Sequence, residues 1–592
     1  MTHRLTPSQT IRPPPTPADT AVEICPRTRE AHEATLQTWS LVEPLGDTAV
    51  VIQANQIGPG SRLLDWLRLI PKVIEADGLE GITDIVPSPD RVTVVYNPLL
   101  TESLDGLLAS LRKLVAAASA TPAPAATCHD IPVCYGGNDG PDLAAVCRHH
   151  GISRERLIQL HTEPDYLVTA IGFVPGFPYL TGLPPALATP RLASPRGRIP
   201  AGSVGIGGSQ TGIYPFATPG GWQLIGRTGF PLFDPTANPP AALAVGDRVR
   251  FCATAETPVV PSCTPPARNA VRSPMVTVVE PGLMTTIQDL GRPGQRTAGV
   301  PSGGAADTLS AQLANLTVGN AAAAAVIEFT LLGPILRFEA DAVIALAGAT
   351  IASLPALRPL LIRAGETLAL GHVTAGCRGY LAIAGGIDVP PVLGSRATYL
   401  PAGFGGLAGR PLAAGDQLAA GPPPVFPNSI SWSLDPGLVP LPPQTGPCRL
   451  RFIPAAADTA GLKSLMKTAF PVSSSSDRMG LRLRGSLPQA PADGTSIAVL
   501  PGSVQLPPDG NPILLLADAQ TIGGYAVVGQ VIAADLPLAG QLRPGDEIQF
   551  EPTTITTAHW LLRQQRGLLA TVQRGLATKF QPSGVLQGKF LN

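Results

Sequence analysis

Charge is scarce in this chain. Asp, Glu, Lys and Arg make up 14% of its 592 residues, against roughly 25% in an average protein. The 42 basic and 42 acidic residues cancel, so neither nucleic acid nor an anionic membrane is an expected partner. The 8 cysteines are scattered without a C-x-x-C pair, which excludes zinc-ribbon frameworks. Cys147, His149 and His150 lie close together, but a zinc cage needs further ligands at set spacing, and no metal site is expected. Apolar runs are all broken by Gly, Pro or charge before the ~18 residues of a membrane span. The opening "MTHRLTPSQTIRPPPTPADT" has no apolar stretch of a secretory signal. A cytoplasmic protein with reduced thiols is the expectation. What is abundant is Gly (63) and Pro (66), set between short apolar runs in a chain that is 44% hydrophobic. That pattern means many turns, and the length exceeds what one core serves.

Residues 1–38, rich in Pro and Thr, are expected to be a disordered tail. Residues 39–120 read as a small α+β unit. "SLVEPLGDTAVVIQ" and "ITDIVPSPDRVTVVYNP" alternate as strands, while "GSRLLDWLRLIPKVIEA" and "ESLDGLLASLRKLVAAA" carry apolar residues at helical spacing. "SATPAPAAT" follows as a hinge. Residues 128–255 start with a strand and two short helices, then break into short strands between Gly/Pro turns. Residues 256–274 read as a linker, 275–552 as a β-rich unit, and 553–592 as a helical tail. The fold class is mainly β with α+β parts.

One pattern recurs. "AGSVGI", "SQTGIY", "LIGRT" and "LAVGDRVRF" appear in that order from Ala201, and "PGSVQL", "AQTIGGY", "VVGQV" and "LRPGDEIQF" repeat them downstream. "LAAGDQLAA" around Asp416 is a fainter copy of the closing element. Ordered landmarks of this kind imply a duplicated β-barrel or sandwich. The glycines of the first copy let backbone approach a bound group, beside Gln210, Tyr214 and Arg227, with Trp222 as a packing anchor.

Residues 40 to about 255 resemble the allophanate hydrolase subunit 1 family, also known as the B-type subunit of 5-oxoprolinase. The resemblance rests on "GPDL", "IGFVPGFPYLTGLP", "PRLASPRGRIPAGSVGIGGSQTGIYPFATPGGWQLIGRT" and "LFDP". Residues 275 to about 552 resemble allophanate hydrolase subunit 2, the C-type subunit of 5-oxoprolinase. Here the motifs are "PGLMTTIQDLGRPG", "AGVPSGGAAD", "YLAIAGGID", "LGSRATYLPAGFGG", "SSSSDRMGLRL" and "DAQTIGGY". The resemblance implies duplicated cyclophilin-like β-barrel domains beside a small N-terminal α+β domain, in a fusion of two normally separate subunits. It implies the B/C component of an ATP-dependent 5-oxoprolinase, working with an A-type 5-oxoprolinase subunit in an oligomer. The runner-up it allows is the carboxyltransferase component of a biotin-dependent, urea-carboxylase-like enzyme, and the third a non-catalytic regulator of a sensor histidine kinase. Two departures stand out: Asn138, followed by Asp139, replaces the acid usual after "YGG", and "GGAAD", ending at Asp307, replaces "SGAMD".

A lactam resists water because its amide is resonance-stabilised, and ATP would activate it by phosphorylating the carbonyl oxygen. Such chemistry calls for guanidinium groups, carboxylates to place Mg²⁺ and close backbone N–H groups. No Walker A sequence is present, so an ATP site would not be a P-loop. The loop cations are Arg191, Arg196, Arg227, Arg292, Arg396 and Arg478; the carboxylates are Asp289, Asp307, Asp477 and Asp518. Gln210, Thr211 and Tyr214, with their repeat partners Gln520, Thr521 and Tyr525, offer groups for a planar polar ligand. His161 is a candidate general base or a helix cap. "SLMKTAF" lacks the second Met and the setting of a biotin carrier, so Lys467 is read as an ordinary lysine and no attached biotin is expected.

Overall fold

The computed structural model describes residues 40–54, 61–118, 125–256, 259, 273–427, 430–455, 459–488 and 496–580. The expected tail over 1–38, most of the "SATPAPAAT" hinge, most of the 256–274 linker and the last residues of the helical tail lie outside these. Among the described residues no helix is long and apolar enough to cross a membrane.

The first unit is a four-stranded antiparallel sheet ordered Ser40–Leu45, Ala49–Ala54, Arg91–Tyr96, Ile82–Ser88. Alternate strand residues Val50, Ile52, Val92 and Val94 point to one face. Leu67, Ile70 and Ile74 of helix Ser61–Asp77 and Leu107, Leu111 and Val115 of helix Leu104–Ala118 cover that face. Their three- and four-residue spacing is what made both helices legible.

Residues 128–253 close into a seven-stranded barrel ordered Gln210–Ile213, Pro178–Thr181, Tyr166–Ile171, Arg248–Ala253, Cys128–Tyr135, Gln223–Arg227, Ser203–Gly207. First and last strands run parallel, Arg248 opposite Cys128 through Ala253 opposite Val133. Residues 448–552 repeat this plan in a sheet ordered Ala469–Pro471, Glu547–Pro552, Cys448–Pro454, Ala526–Val531, Ser503–Leu506, Ile513–Leu515, Gly480–Arg482. Its first and last strands are again parallel. The two edge strands meet through the Val472–Leu483 bridge and the bonds from Ser473 N to Arg482 O and from Arg484 N to Pro471 O. Strand for strand, the two circles match, so the barrel is duplicated. Between them, residues 275–420 form two five-stranded sheets around Val278, Ile327, Phe329, Leu336 and Leu381.

The repeated Gly-Asp closing element is one turn used three times. Gly246, Gly415 and Gly545 take φ of 93°, 81° and 96°, a region that favours glycine. The Asp after each accepts from the N–H three residues back, Ala244 at 2.9 Å, Ala413 at 2.7 Å and Arg543 at 3.0 Å. The third copy, at Asp416, keeps the turn but not the barrel: its strand Gln417–Ala420 pairs antiparallel with Val276–Glu280.

The Gln-Thr equivalence expected from the repeat is corrected by this topology. Gln210 and Thr211 start a barrel strand, whose counterpart in the second barrel is Ile513–Leu515. Gln520 and Thr521 precede a short strand, Ile522–Gly523, that pairs outside the barrel with Ile497–Ala498. Similar letters there fill different places.

The halves are joined by the 292–300 segment, which acts as a wedge. Arg296 N donates to Asp84 Oδ1 at 2.8 Å and Thr297 Oγ1 to Ile85 O at 2.5 Å, both in the N-terminal unit. Gly176 N of the first barrel donates to Ala298 O at 2.9 Å, while Arg296 Nη2 donates to Val499 O next to the second. Apolar contact seals the seam, with Phe177, Tyr214 and Trp222 on one side and Ala498 and Ile522 on the other.

Candidate functional site

The wedge begins at the turn after strand Met284–Gln288. Asp289 accepts from Gly291 N at 2.8 Å, Ser395 Oγ at 2.6 Å and Arg396 N at 2.6 Å. One carboxylate therefore holds its own turn and ties it to the loop at 395–397. Arg292 N donates to Ser302 O at 2.7 Å, which sends the Arg292 side chain inward, where it is 1% exposed.

Inside, Arg292 Nη2 donates to Ala397 O and the guanidinium lies 5.1 Å from the Phe404 ring centre. Phe404 in turn stacks on Phe233 of the first barrel domain at 5.9 Å. Both halves thus build this wall. Arg292 Nε and Nη1 have no hydrogen-bond partner, and neither has the hydroxyl of the fully buried Tyr399. Burial draws the Arg292 pKa down, opposed by the charges of Asp289 and Asp518. Burial drives Tyr399 far above the usual phenol range, so it remains a hydroxyl donor. At Gly303, whose φ is 61°, an added Cβ would stand 3.3 Å from Arg292 Nη1 and 3.7 Å from Asp518 Oδ1. Bare backbone therefore packs directly against the guanidinium.

A second arginine supports the first. Arg478 donates to Asp518 through Nε at 2.8 Å and Nη2 at 3.1 Å, to Gly304 O at 2.5 Å, and through Nη1 to Glu328. Burial pulls its pKa down, but Asp518 and Glu328 outweigh this and keep it charged. Glu328 also accepts from Ala306 N at 3.0 Å. Arg478 is buried with four of its N–H groups committed to these partners, so its expected phosphate-binding role is replaced by that of a brace for Asp518 and the 304–306 backbone. Asp307 caps helix Thr308–Thr317, accepting from Ser310 N at 2.8 Å and Gln541 Nε2 at 2.7 Å. Burial pushes it up to about 6.

The remaining expected residues scatter. Asp477 is exposed and caps its own turn at Met479 N. Arg396 reaches Asp388 at 3.3 Å near the surface. Arg196 bonds Asp142 at 2.6 Å, and Asp142 also accepts from Leu224 N at 2.7 Å, so this pair pins the flap Arg196–Ile199 to the barrel. Arg191 lies 5.8 Å from the Trp222 ring, and Arg227 Nε donates to Ala201 O at 2.8 Å. Asn138 is exposed, while Asp139 sits 3.9 Å from Arg227. Tyr214 packs in an aromatic cluster with Phe177 and Trp222, whereas Tyr525 is 46% exposed. Lys467 is the last residue of helix Thr459–Lys467.

The base reading of His161 is overturned. It lies fully buried in the first barrel, stacked on Phe251 at 4.6 Å. Thr211 gives its hydroxyl proton to Gly205 O at 2.9 Å, so His161 Nε2–H donates to Thr211 Oγ1 at 3.1 Å and Nδ1 accepts from Tyr135 at 2.8 Å. Burial holds its pKa down at about 3. It is a neutral core histidine, and Thr211 is occupied in the same network.

Sequence reasoning passed over Tyr399, Phe404 and Glu328. Tyr399 and Phe404 stand within the motif "LGSRATYLPAGFGG", as Arg396 does. The signal for Glu328 was a lone acid within the apolar strand Val326–Thr330.

The family described as "Carboxyltransferase domain, subdomain C and D" matches residues 40–243, and "Carboxyltransferase domain, subdomain A and B" matches residues 298–552. The chain is 42% identical over 208 residues to the 5-oxoprolinase B subunit of Escherichia coli O157:H7, covering 35% of this chain and 93% of that protein. It is 38% identical over 298 residues to the 5-oxoprolinase C subunit of Escherichia coli strain K12, covering 48% and 93%. The crystal structure of TTHA0988 superposes with a TM-score of 0.75 at 36% identity, covering 85% of this chain and 99% of that one.

Proposed function

From a chain that belongs to the family of the 5-oxoprolinase B and C subunits, with the two fused, we propose the B/C component of an ATP-dependent 5-oxoprolinase that opens 5-oxoproline to glutamate with an A-type partner. The observation that carries this reading is the buried set of unpartnered donors, Arg292 Nε and Nη1 and the Tyr399 hydroxyl. Buried donors with no protein acceptor suit an oxygen that gains negative charge, which is what a lactam carbonyl does as its carbon is attacked. Phe404 keeps water off the guanidinium face, and Gly303 brings bare backbone beside Arg292 Nη1. Asp518, braced by Arg478, lies near the Arg292 guanidinium as an acceptor for the lactam N–H.

ATP would supply the leaving group on the lactam oxygen. The residues around these donors do not fit as its cradle: Arg478 is buried and held by Asp518, Glu328 and Gly304, and among the described residues no group of three or more His, Cys, Asp and Glu gathers for a metal. We therefore assign Mg²⁺-ATP to the A-type partner, with the lactam held here. Glutamate release by the chain with its partner tests this. Tyr399→Phe is expected to lower kcat about a hundredfold, the usual cost of one oxyanion donor. Undiminished kcat would remove the donor set from the reaction.

A second reading, carboxyl transfer from a biotin carrier, is favoured by the description of the two family domains. The same donors would then polarise a carboxyl or ureido oxygen.

A further inference from the structure

The duplicated barrels carry the same accessory piece and use it differently. In the first, Arg196–Ile199 and Thr218–Gly220 pair as a flap outside the barrel. Each flap strand runs just ahead of one of two paired barrel strands, Ser203–Gly207 and Gln223–Arg227. In the second, Ile497–Ala498 and Ile522–Gly523 pair in the same way, just ahead of Ser503–Leu506 and Ala526–Val531. This second flap is an interface. Ala498 and Ile522 are buried in the first barrel's aromatic cluster, Ile522 packs against Gly172, and Arg296 donates to the neighbouring Val499 O. The first flap has no such cover. Its Ile199 and Thr218 are buried beneath it, while Gly197, Arg198 and Pro219 are exposed.

Charge identifies what the first flap would meet. Residues 166–233 contain Arg191, Arg196, Arg198 and Arg227 and no other charged residue. Arg196 is matched by Asp142 and Arg227 by Asp139. Arg191 and Arg198 are exposed, and neither has an ion pair among the described residues. Leu192 N donates to Gly221 O at 2.7 Å and Gln223 Nε2 to Pro190 O at 3.1 Å, which lays the loop carrying Arg191 along the flap. Around the two arginines the exposed surface is Ala, Ser, Gly and Pro. Two uncompensated guanidinium groups on such an uncharged surface suit carboxylates, which a guanidinium can hold bidentately.

We propose that the first flap is the docking surface for the A-type partner, which meets Arg191 and Arg198 with an acidic face. The identity of this partner rests on the function proposed above. A packed row of rings starts at the flap. Phe216, two residues before Thr218, packs on Phe233 at 5.7 Å, Phe233 stacks on Phe404 at 5.9 Å, and Phe404 lies 5.1 Å from the Arg292 guanidinium. A partner seated on the flap is thus joined by protein contacts to the donors proposed to hold the lactam.

Biolayer interferometry of the full chain against the A-type partner, without ATP or 5-oxoproline, tests the surface. Arg191→Glu with Arg198→Glu should bind at least about tenfold more weakly, mainly through slower association, because the reversed charges repel an acidic face. Arg566→Glu with Arg574→Glu makes the same charge change at exposed positions of helix Ile555–Phe580 and should leave binding as it was. Should the flap variant misfold, salt dependence of the wild type serves instead: affinity should fall between about 50 and 500 mM salt. Unchanged affinity in the flap variant, an equal loss in the helix variant, or affinity that ignores salt would overturn the proposal. So would ATP binding by the chain alone that the flap variant abolishes, since the arginines would then serve a nucleotide. A wild-type chain that does not bind the A-type partner at all would remove the proposed function as well, whereas binding that ignores the flap leaves that function standing.

Discussion

At the scale of single residues, partners matter more than charge. Arg292, Arg396 and Arg478 look alike in the sequence, each in a loop beside Gly or Ser. The fold gives them three different tasks. Arg478→Ala would strand Glu328 and Asp518 without their countercharge, and loss of one partner of a buried ion network typically costs about 3–5 kcal/mol. Arg396→Ala breaks a pair whose members are 41% and 60% exposed, and about 1 kcal/mol at most is expected. Urea unfolding midpoints should rank the two in that order, and equal midpoints would contradict the brace. Asp307 adds a pH signature. Its folded pKa of about 6 lies above its ordinary value because of burial. Its contribution to stability is therefore fully present below that ordinary value and is lost as pH rises through about 6. Asp307→Asn should flatten this component, seen as a smaller drop in unfolding temperature between about pH 4 and 7 than in the wild type. An unchanged slope would show that Asp307 ionises normally.

Among elements, the wedge at 292–300 is where the halves touch most specifically. Gly299 has φ of 77°, and an added Cβ would stand 3.0 Å from Val174 O and 3.2 Å from the Gly172 Cα. Gly299→Ala should cost about 1–2 kcal/mol from the backbone alone and lower turnover by lifting the loop that carries Arg292. Wild-type stability and turnover in this variant would relieve the wedge of that role. Much of this level was legible in the sequence. Leu67, Ile70 and Ile74 marked a helix by spacing, and the Gly-Asp pairs marked strand-closing turns because few other sequences satisfy that geometry. The Gln-Thr match misled because pairing partners, not letters, decide which strand a segment joins. His161 misled for a related reason. It ends a helix on paper, yet the barrel closes over it, and closure depends on strands far away in sequence. Glu328 and Tyr399 were illegible because their meaning comes from Arg478 and Arg292, separated from them by long stretches of chain.

In the whole molecule, two halves with separate relatives build one proposed site. Phe233 of the first half supports Phe404 of the second, and Asp84 holds the wedge. Residues 39–255 and 275–592, co-expressed as two chains, should therefore copurify, and halves that separate on gel filtration would speak against a shared site. The two halves match the B and C components, so the chain alone should release no glutamate from 5-oxoproline. The most direct measurement is ADP release by this chain with an A-type 5-oxoprolinase partner, with and without 5-oxoproline. The lactam should stimulate ADP release, and glutamate should appear with it. Unstimulated ADP release, with decarboxylation of free carboxybiotin by the chain, would contradict this function and make the two halves a carboxyltransferase.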